Sequence, residues 1–255
     1  MTVKELYRYL NERIPTSLSC EWDNDGLMCC PDAERKVRKV LITLDITADA
    51  VKAAIDESCD LIISHHPLVF KGLKAVNDES FVAAKVIDLI KHGISAFSFH
   101  TRLDALTGGV NDTLAEKLGV LGAVPFGNDG EAIGRIGTLA EPMSLTDFAE
   151  LVKKALGAPA VLCADAGLKV SRVALLGGEG GDDISAAKAA GADTYVSGRL
   201  GYHAMTDAPE CGMNLIEAGH FYTEQPVCER LASLVAEADP TVECIRFFSN
   251  RIFVI

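Results

Sequence analysis

The chain has 255 residues, 49% of them hydrophobic, with 24 lysines and arginines against 36 aspartates and glutamates, a formal charge of −12. That length supports one large or two ordinary domains with a real core. The charge argues against a protein that lives on phosphate backbones, because non-specific nucleic-acid affinity comes from clustered Lys and Arg.

The opening stretch, MTVKELYRYLNERIP, predicts an amphipathic helix with Val3, Leu6, Tyr7 and Leu10 at helical spacing. It lacks the continuous apolar run of a signal peptide, and no later run approaches the ~18 apolar residues of a membrane span. A cytoplasmic protein without membrane partners is expected. A loop rich in turn formers follows, SLSCEWDNDGLMCCPDAER, holding the only tryptophan, Trp22. None of the eight cysteines forms a C-x-x-C pair, and adjacent Cys29 and Cys30 read as reduced, semi-buried thiols in preference to a redox pair.

Short β-branched runs then alternate with helical patterns. VRKVLITLDI reads as a strand, TADAVKAAIDES as a helix capped by Thr47, DLIISHH as a strand, and ESFVAAKVIDLIKHG as a helix stopped by Gly93. ISAFSFHTRLD reads as a strand running into a loop, and GGVNDTLAEKLG as a helix. Residues 120 to 142, rich in glycine and turns, read as a crossing between two halves. Beyond it come SLTDFAELVKKALG (helix), SRVALLGG (strand), GDDISAAKAAG (helix), DTYVSG and NLIEAGH (strands), TEQPVCERLASLVAEA (helix) and ECIRFFSNRIFVI (terminal strand or hairpin). This alternation predicts mostly parallel sheets covered by helices, as two similar α/β lobes or one divided domain.

Ligands of open α/β sheets gather outside the carboxyl ends of the strands. Three expected strand ends carry metal-capable groups: His65 and His66 after LIIS, His100 and Asp104 in FHTRLD, and His220 with Glu224 in GHFYTE. Neighbours on a strand face opposite ways, so His65 and His66 can share a small site only if the strand ends there, as Pro67 allows. His220 and Glu224, four apart, share a face if the turn is already helical. A lone histidine at a strand end is more often structural, the reading given to His92. Three imidazoles with two carboxylates instead suit divalent first-row metals. An adjacent His pair can also serve two ions, and two ions ~3.5–4 Å apart activate water on phosphate and amide-like bonds.

The stretches LIISHHPLVFKGLK, HTRLDALTGGVNDTLAEKLG and EAGHFYTEQPVCERL, with EWDNDGL and GRIGTL, closely resemble the Nif-three-like family, also known as GTP cyclohydrolase 1 type 2 homologues or dinuclear-metal-centre proteins. The match runs from Trp22 to about Arg230. The resemblance implies two similar α/β lobes with mixed, mostly parallel sheets, here residues 1–125 and 126–255 without an inserted middle domain, and a metal site between them. It implies two divalent metal ions per subunit (zinc, iron, manganese or similar) on His65, His66, Asp104, His220 and Glu224, with Asp104 bridging, and a homohexamer.

It further implies hydrolytic opening of the guanine ring of GTP, with His100 or His203 carrying protons, or a phosphoesterase acting on a small anionic substrate. A non-enzymatic metal-binding scaffold or regulatory partner-binding protein is the alternative. The chain departs from the family at SGRLGYH, where Arg199 stands in place of a frequent acid. An anion-binding role and a surface ion pair are both open to that arginine. Lys71 is a second candidate for an anionic substrate. Asp23, Asn24 and Asp25 are assigned to a turn at Gly26, Trp22 to core or interface, and Gly177, Gly178 and Gly180 to a tight turn that would also admit a substrate.

Overall fold

The computed structural model describes residues 1–128 and 131–255. In chain order its elements are α1 (Val3–Arg13), β1 (Gly26–Cys29), β2 (Lys39–Thr43), α2 (Ala48–Asp56), β3 (Leu61–Ser64), α3 (Phe81–His92), β4 (Ser95–Ser98), α4 (Thr101–Ala105) and α5 (Val110–Lys117). They continue with β5 (Leu121–Asn128), β6 (Glu131–Met143), α6 (Leu145–Leu156), β7 (Leu162–Ala164), β8 (Val170–Glu179), α7 (Ile184–Ala189), β9 (Thr194–Arg199), α8 (Tyr202–Glu210), β10 (Asn214–Glu217), α9 (His220–Glu224), α10 (Val227–Ala238) and β11 (Glu243–Phe247). Among the described residues no helix is long and apolar enough to cross a membrane.

The chain divides into two compact units, Met1–Leu103 with Val227–Arg251 and Asp104–Pro226 with Ile252–Ile255. The expected halves were contiguous and met at 125/126. The difference has a direct cause: β11 pairs in parallel with β2 from Glu243↔Lys39 to Phe247↔Thr43, which returns the end of the chain to the first sheet.

The first unit carries a sheet in the order β1-β4-β3-β2-β11, parallel except for β1. Strand β3 is buried along its length, as an interior strand of a covered parallel sheet should be. Leu41, Ile62 and Ala96 pack with Ala50, Val51 and Ala54 of α2 and with Val86 and Leu89 of α3. Both helices are bounded as their sequences require. The Thr47 and Ser80 side chains accept from Ala50 N and Ala83 N, and Gly93 ends α3 in the left-handed conformation at φ 65°. Two stretches differ from expectation: the turn-rich segment before residue 30 contains β1, and TRLDA is the short helix α4, not a loop.

The second unit carries a sheet in the order β5-β6-β8-β9-β10-β7, with the parallel pairs β8/β9 and β9/β10 in its interior. Alternate residues of β8 feed two cores. Val173 and Leu175 join Leu114 of α5 and Phe148 of α6, while Ala174 and Leu176 join Ala187 of α7 and Ala208 of α8. The expected crossing at 120–142 is instead the antiparallel pair β5/β6. Its glycines serve strand contact. A Cβ on Gly137 would lie 2.5 Å from the Leu121 carbonyl oxygen, and one on Gly134 would overlap the Phe126 ring. β7 and α8 lie outside the expected elements, and the chain after Phe247 forms no hairpin.

Candidate metal centre

Strand β3 ends at Ser64, and the two histidines follow immediately. Their amides still continue the ladder: His65 N donates to Thr43 O at 3.4 Å and His66 N to Leu44 O at 2.9 Å. The Ser64 hydroxyl meanwhile donates to His66 O at 2.7 Å and meets the Ser98 hydroxyl at 2.9 Å, which fixes the turn before Pro67. The rings thereby come to 4.9 Å between centroids despite their adjacency in the chain.

Each imidazole is oriented from behind. His65 Nδ1 donates to the Phe99 carbonyl at 2.9 Å, His66 Nδ1 to Asp45 Oδ1 at 2.7 Å, and His100 Nδ1 to Asp23 Oδ1 at 2.9 Å. Carbonyls and ionised carboxylates only accept, so all three rings carry their proton on Nδ1, and Nε2 is the nitrogen that a metal takes. Donor atoms of His65, His66 and His100 lie within 4.8 Å of one another.

The acids behind these rings were largely missed at the sequence level. Asp45 stands just past the end of β2 and is held by Ser249, whose hydroxyl donates to its Oδ2 at 3.2 Å. It satisfies the same strand-end rule that singled out the histidines. The turn lies earlier than expected, at Glu21–Trp22, and Gly26, at φ 108°, opens β1, while Asp23 and Asp25 clamp the start of α4. Asp23 accepts from the Thr101 amide and hydroxyl at 3.0 and 2.6 Å. Asp25 Oδ2 accepts from His100 N at 3.1 Å and from Nε of the fully buried Arg102 at 2.8 Å. Burial pushes the Asp23 carboxyl pKa up, but hydrogen bonds from His100 and Thr101 outweigh it and hold the group well below the usual carboxylate range. Trp22 is 58% exposed, not core, and its ring meets Phe70 and His100 edge-on, each at 6.2 Å.

In the second unit, α9 begins at Gly219 (φ 86°) and sets His220 and Glu224 on one face, with Nε2 and Oε2 3.0 Å apart. A carboxylate oxygen of Asp104, from α4, lies within 4.8 Å of one from Glu224. Both acids are buried.

The glycine pair after β8's apolar run explains how an acid is accommodated there. A Cβ on Gly178, which has φ 72°, would overlap Glu224 Oε1 and approach His220 Cε1 to 3.3 Å. One on Gly198 would meet Gly178 O at 2.5 Å and His220 Cα at 2.7 Å. These glycines make room for the donor pair, a role that the tight-turn reading did not include.

The remaining candidates stand apart. Arg199 pairs with Glu179 at 3.6 Å, both exposed, which is the surface ion pair. His203 lies exposed at the start of α8 beside Tyr202 and joins no donor group among the described residues. His92 Nδ1 donates to Asp88 O at 2.8 Å, and Lys71 lies exposed in the loop after Phe70. Cys29 is buried, and burial first, then Cys30, pushes its thiol pKa up, away from reactivity.

The chain is 34% identical over 253 residues to the "GTP cyclohydrolase 1 type 2 homolog" of Clostridium perfringens, covering 96% of this chain and 95% of that protein. It is 33% identical over 236 residues to the "Protein NIF3 homolog" of Schizosaccharomyces pombe, covering 85% and 84%. Among solved structures, the Staphylococcus aureus hypothetical protein SA1388 matches with a TM-score of 0.90 at 26% identity, over 100% of this chain and 99% of that one. Reduced HcgD from Methanocaldococcus jannaschii matches with a TM-score of 0.83 at 27% identity, over 96% and 97%. The model of the family described as Duf34/NIF3 (NGG1p interacting factor 3) matches residues 1–251, and the chain belongs to that family.

Proposed function

We propose that this protein binds two divalent first-row metal ions on His65, His66, Asp104, His220 and Glu224, and that it is a metal-dependent hydrolase. The observation that carries the reading is the arrangement behind the adjacent pair His65 and His66, each with Nδ1 committed to a fixed acceptor, with His100 beside them backed in the same way. Backing of this kind sets the tautomer and aim of metal-binding histidines. A paired ion centre supplies an activated water and stabilises the charge that develops on the substrate.

The chain's own residues do the rest. Asp45 and the Phe99 carbonyl hold two donors on target, while Asp23 keeps His100 in the tautomer whose Nε2 accepts a proton from, or returns one to, a reacting group. Buried Asp104 and Glu224 supply anionic oxygen that offsets divalent charge.

The name borne by the bacterial relatives makes GTP the first substrate to test. Metal-loaded protein is incubated with GTP and a panel of small phosphoesters, following formate release and phosphate release. Turnover of at least one compound, lost in His220→Ala, is expected. Equal turnover by the variant assigns the activity to a contaminant. Metal uptake without turnover of any compound favours a non-enzymatic scaffold.

A further inference from the structure

We propose that Asn111 is the positioning residue that holds Asp104 and Glu224 in register, an inference that rests on their reading as metal ligands. Asn111 lies in the first turn of α5 and is fully buried. Its amide reaches three separate backbone segments. Nδ2 donates to the Asp104 carbonyl at 3.3 Å and to the Ile133 carbonyl at 2.9 Å, and Oδ1 accepts from Gly177 N at 2.7 Å.

Each end of that amide acts on a proposed ligand. At the Nδ2 end, the bond to the Asp104 carbonyl fixes the last turn of α4, from which Asp104 projects. At the Oδ1 end, holding Gly177 N sets the peptide that leads into Gly178, the glycine whose missing Cβ leaves space for the Glu224 carboxylate. The far side of that cradle is tied as well. Gly178 N donates to the Thr223 hydroxyl at 3.0 Å, and that hydroxyl donates to the His220 carbonyl at 2.9 Å. A run of hydrogen bonds thus extends from Asp104 through Asn111 and the glycine pair to α9.

Only a side chain that donates and accepts at once, at this length, meets all three partners. Aspartate has the same shape but no donor, and it would turn a carboxylate toward the Asp104 and Ile133 carbonyl oxygens. Buried polar groups left in that state disturb their surroundings well beyond the loss of one bond. A residue needed only for the fold would lower stability and leave the ligand geometry of the folded molecules intact. A positioning residue changes that geometry.

The test titrates cobalt(II) into chelator-treated full-length chain and follows both the isotherm and the visible d–d bands, which report coordination geometry without reference to activity. Asn111→Asp is expected to weaken cobalt binding by about 10- to 100-fold, the range for loss of a ligand's supporting contacts, and to change the band intensity. Where the aspartate does not give folded protein, Asn111→Ser, which leaves a hydroxyl and space for a water, is expected to do the same.

A variant that matches the wild-type isotherm and spectrum, with only a lower melting temperature, overturns the proposal. A wild-type chain that binds no cobalt instead overturns the metal reading beneath it.

Discussion

Gly178→Ala perturbs the second unit by a single methyl, and the structure divides its cost into two parts. The residue sits at φ 72°, where an L side chain costs about 1–2 kcal/mol. The new Cβ would also overlap Glu224 Oε1, with Cδ only 3.1 Å away. A carboxylate is the end of a flexible side chain, so it swings aside and the backbone stays in place. The steric cost therefore falls on the donor geometry and adds little to the stability loss.

Chelator-treated protein should still melt cooperatively, lower by roughly 2–8 °C for ~1–2 kcal/mol in a chain of this size. Its affinity for manganese or zinc, measured by calorimetry, should fall at least about tenfold. Wild-type affinity in a variant with a reduced melting temperature would show that Glu224 is not a ligand. Complete unfolding would refute the argument that its carboxylate relieves the clash.

Gly198→Ala should behave differently, because its Cβ would strike the Gly178 carbonyl and His220 Cα, neither of which can swing away; a stability loss of several kcal/mol or insoluble protein is expected in expression and melting tests. Asp60 gives a pH signature. Burial raises its pKa, but hydrogen bonds from Arg38, Arg35 and Lys39 outweigh burial and lower it. Its contribution is therefore fully present above the ordinary aspartate value of ~3.9 and is lost as pH falls through the depressed folded value. Urea titrations of the metal-free protein should show a drop in stability below about pH 4 that Asp60→Asn diminishes, and an equal drop in the variant would refute the assignment. Trp22 is the only tryptophan and its ring lies 6.2 Å from His100. Cobalt(II) should quench its fluorescence saturably, and the quenching should weaken in His66→Ala; an identical response in both proteins would place the bound ion elsewhere.

The strand and helix alternation was legible because β-branched runs, N-cap serines and threonines, and stop glycines such as Gly93 and Gly157 act locally. The candidate donors were marked for a related reason: in an open sheet, strand ends converge, so a histidine after LIIS or in EAGH stands out by position alone. What escaped depends on contacts distant in the chain. Gly134 and Gly137 resemble turn formers until Phe126 and Leu121 come to lie against them. Asp23 and Asp25 suited a turn reading so economically that their actual task, some 75 residues away on His100 and Arg102, left no local mark. The return of β11 to β2 depends on a pairing about 200 residues apart, which no local pattern announces.

The central claim is that the chain holds two metal ions on His65, His66, Asp104, His220 and Glu224, and elemental analysis of the folded protein tests it most directly. Wild-type protein reloaded with zinc or manganese after chelation should carry two ions per chain. His65→Ala and Glu224→Ala, each retaining a cooperative melt, should carry fewer. A metal content that neither substitution changes, or a wild-type chain that retains no ion, would contradict the account.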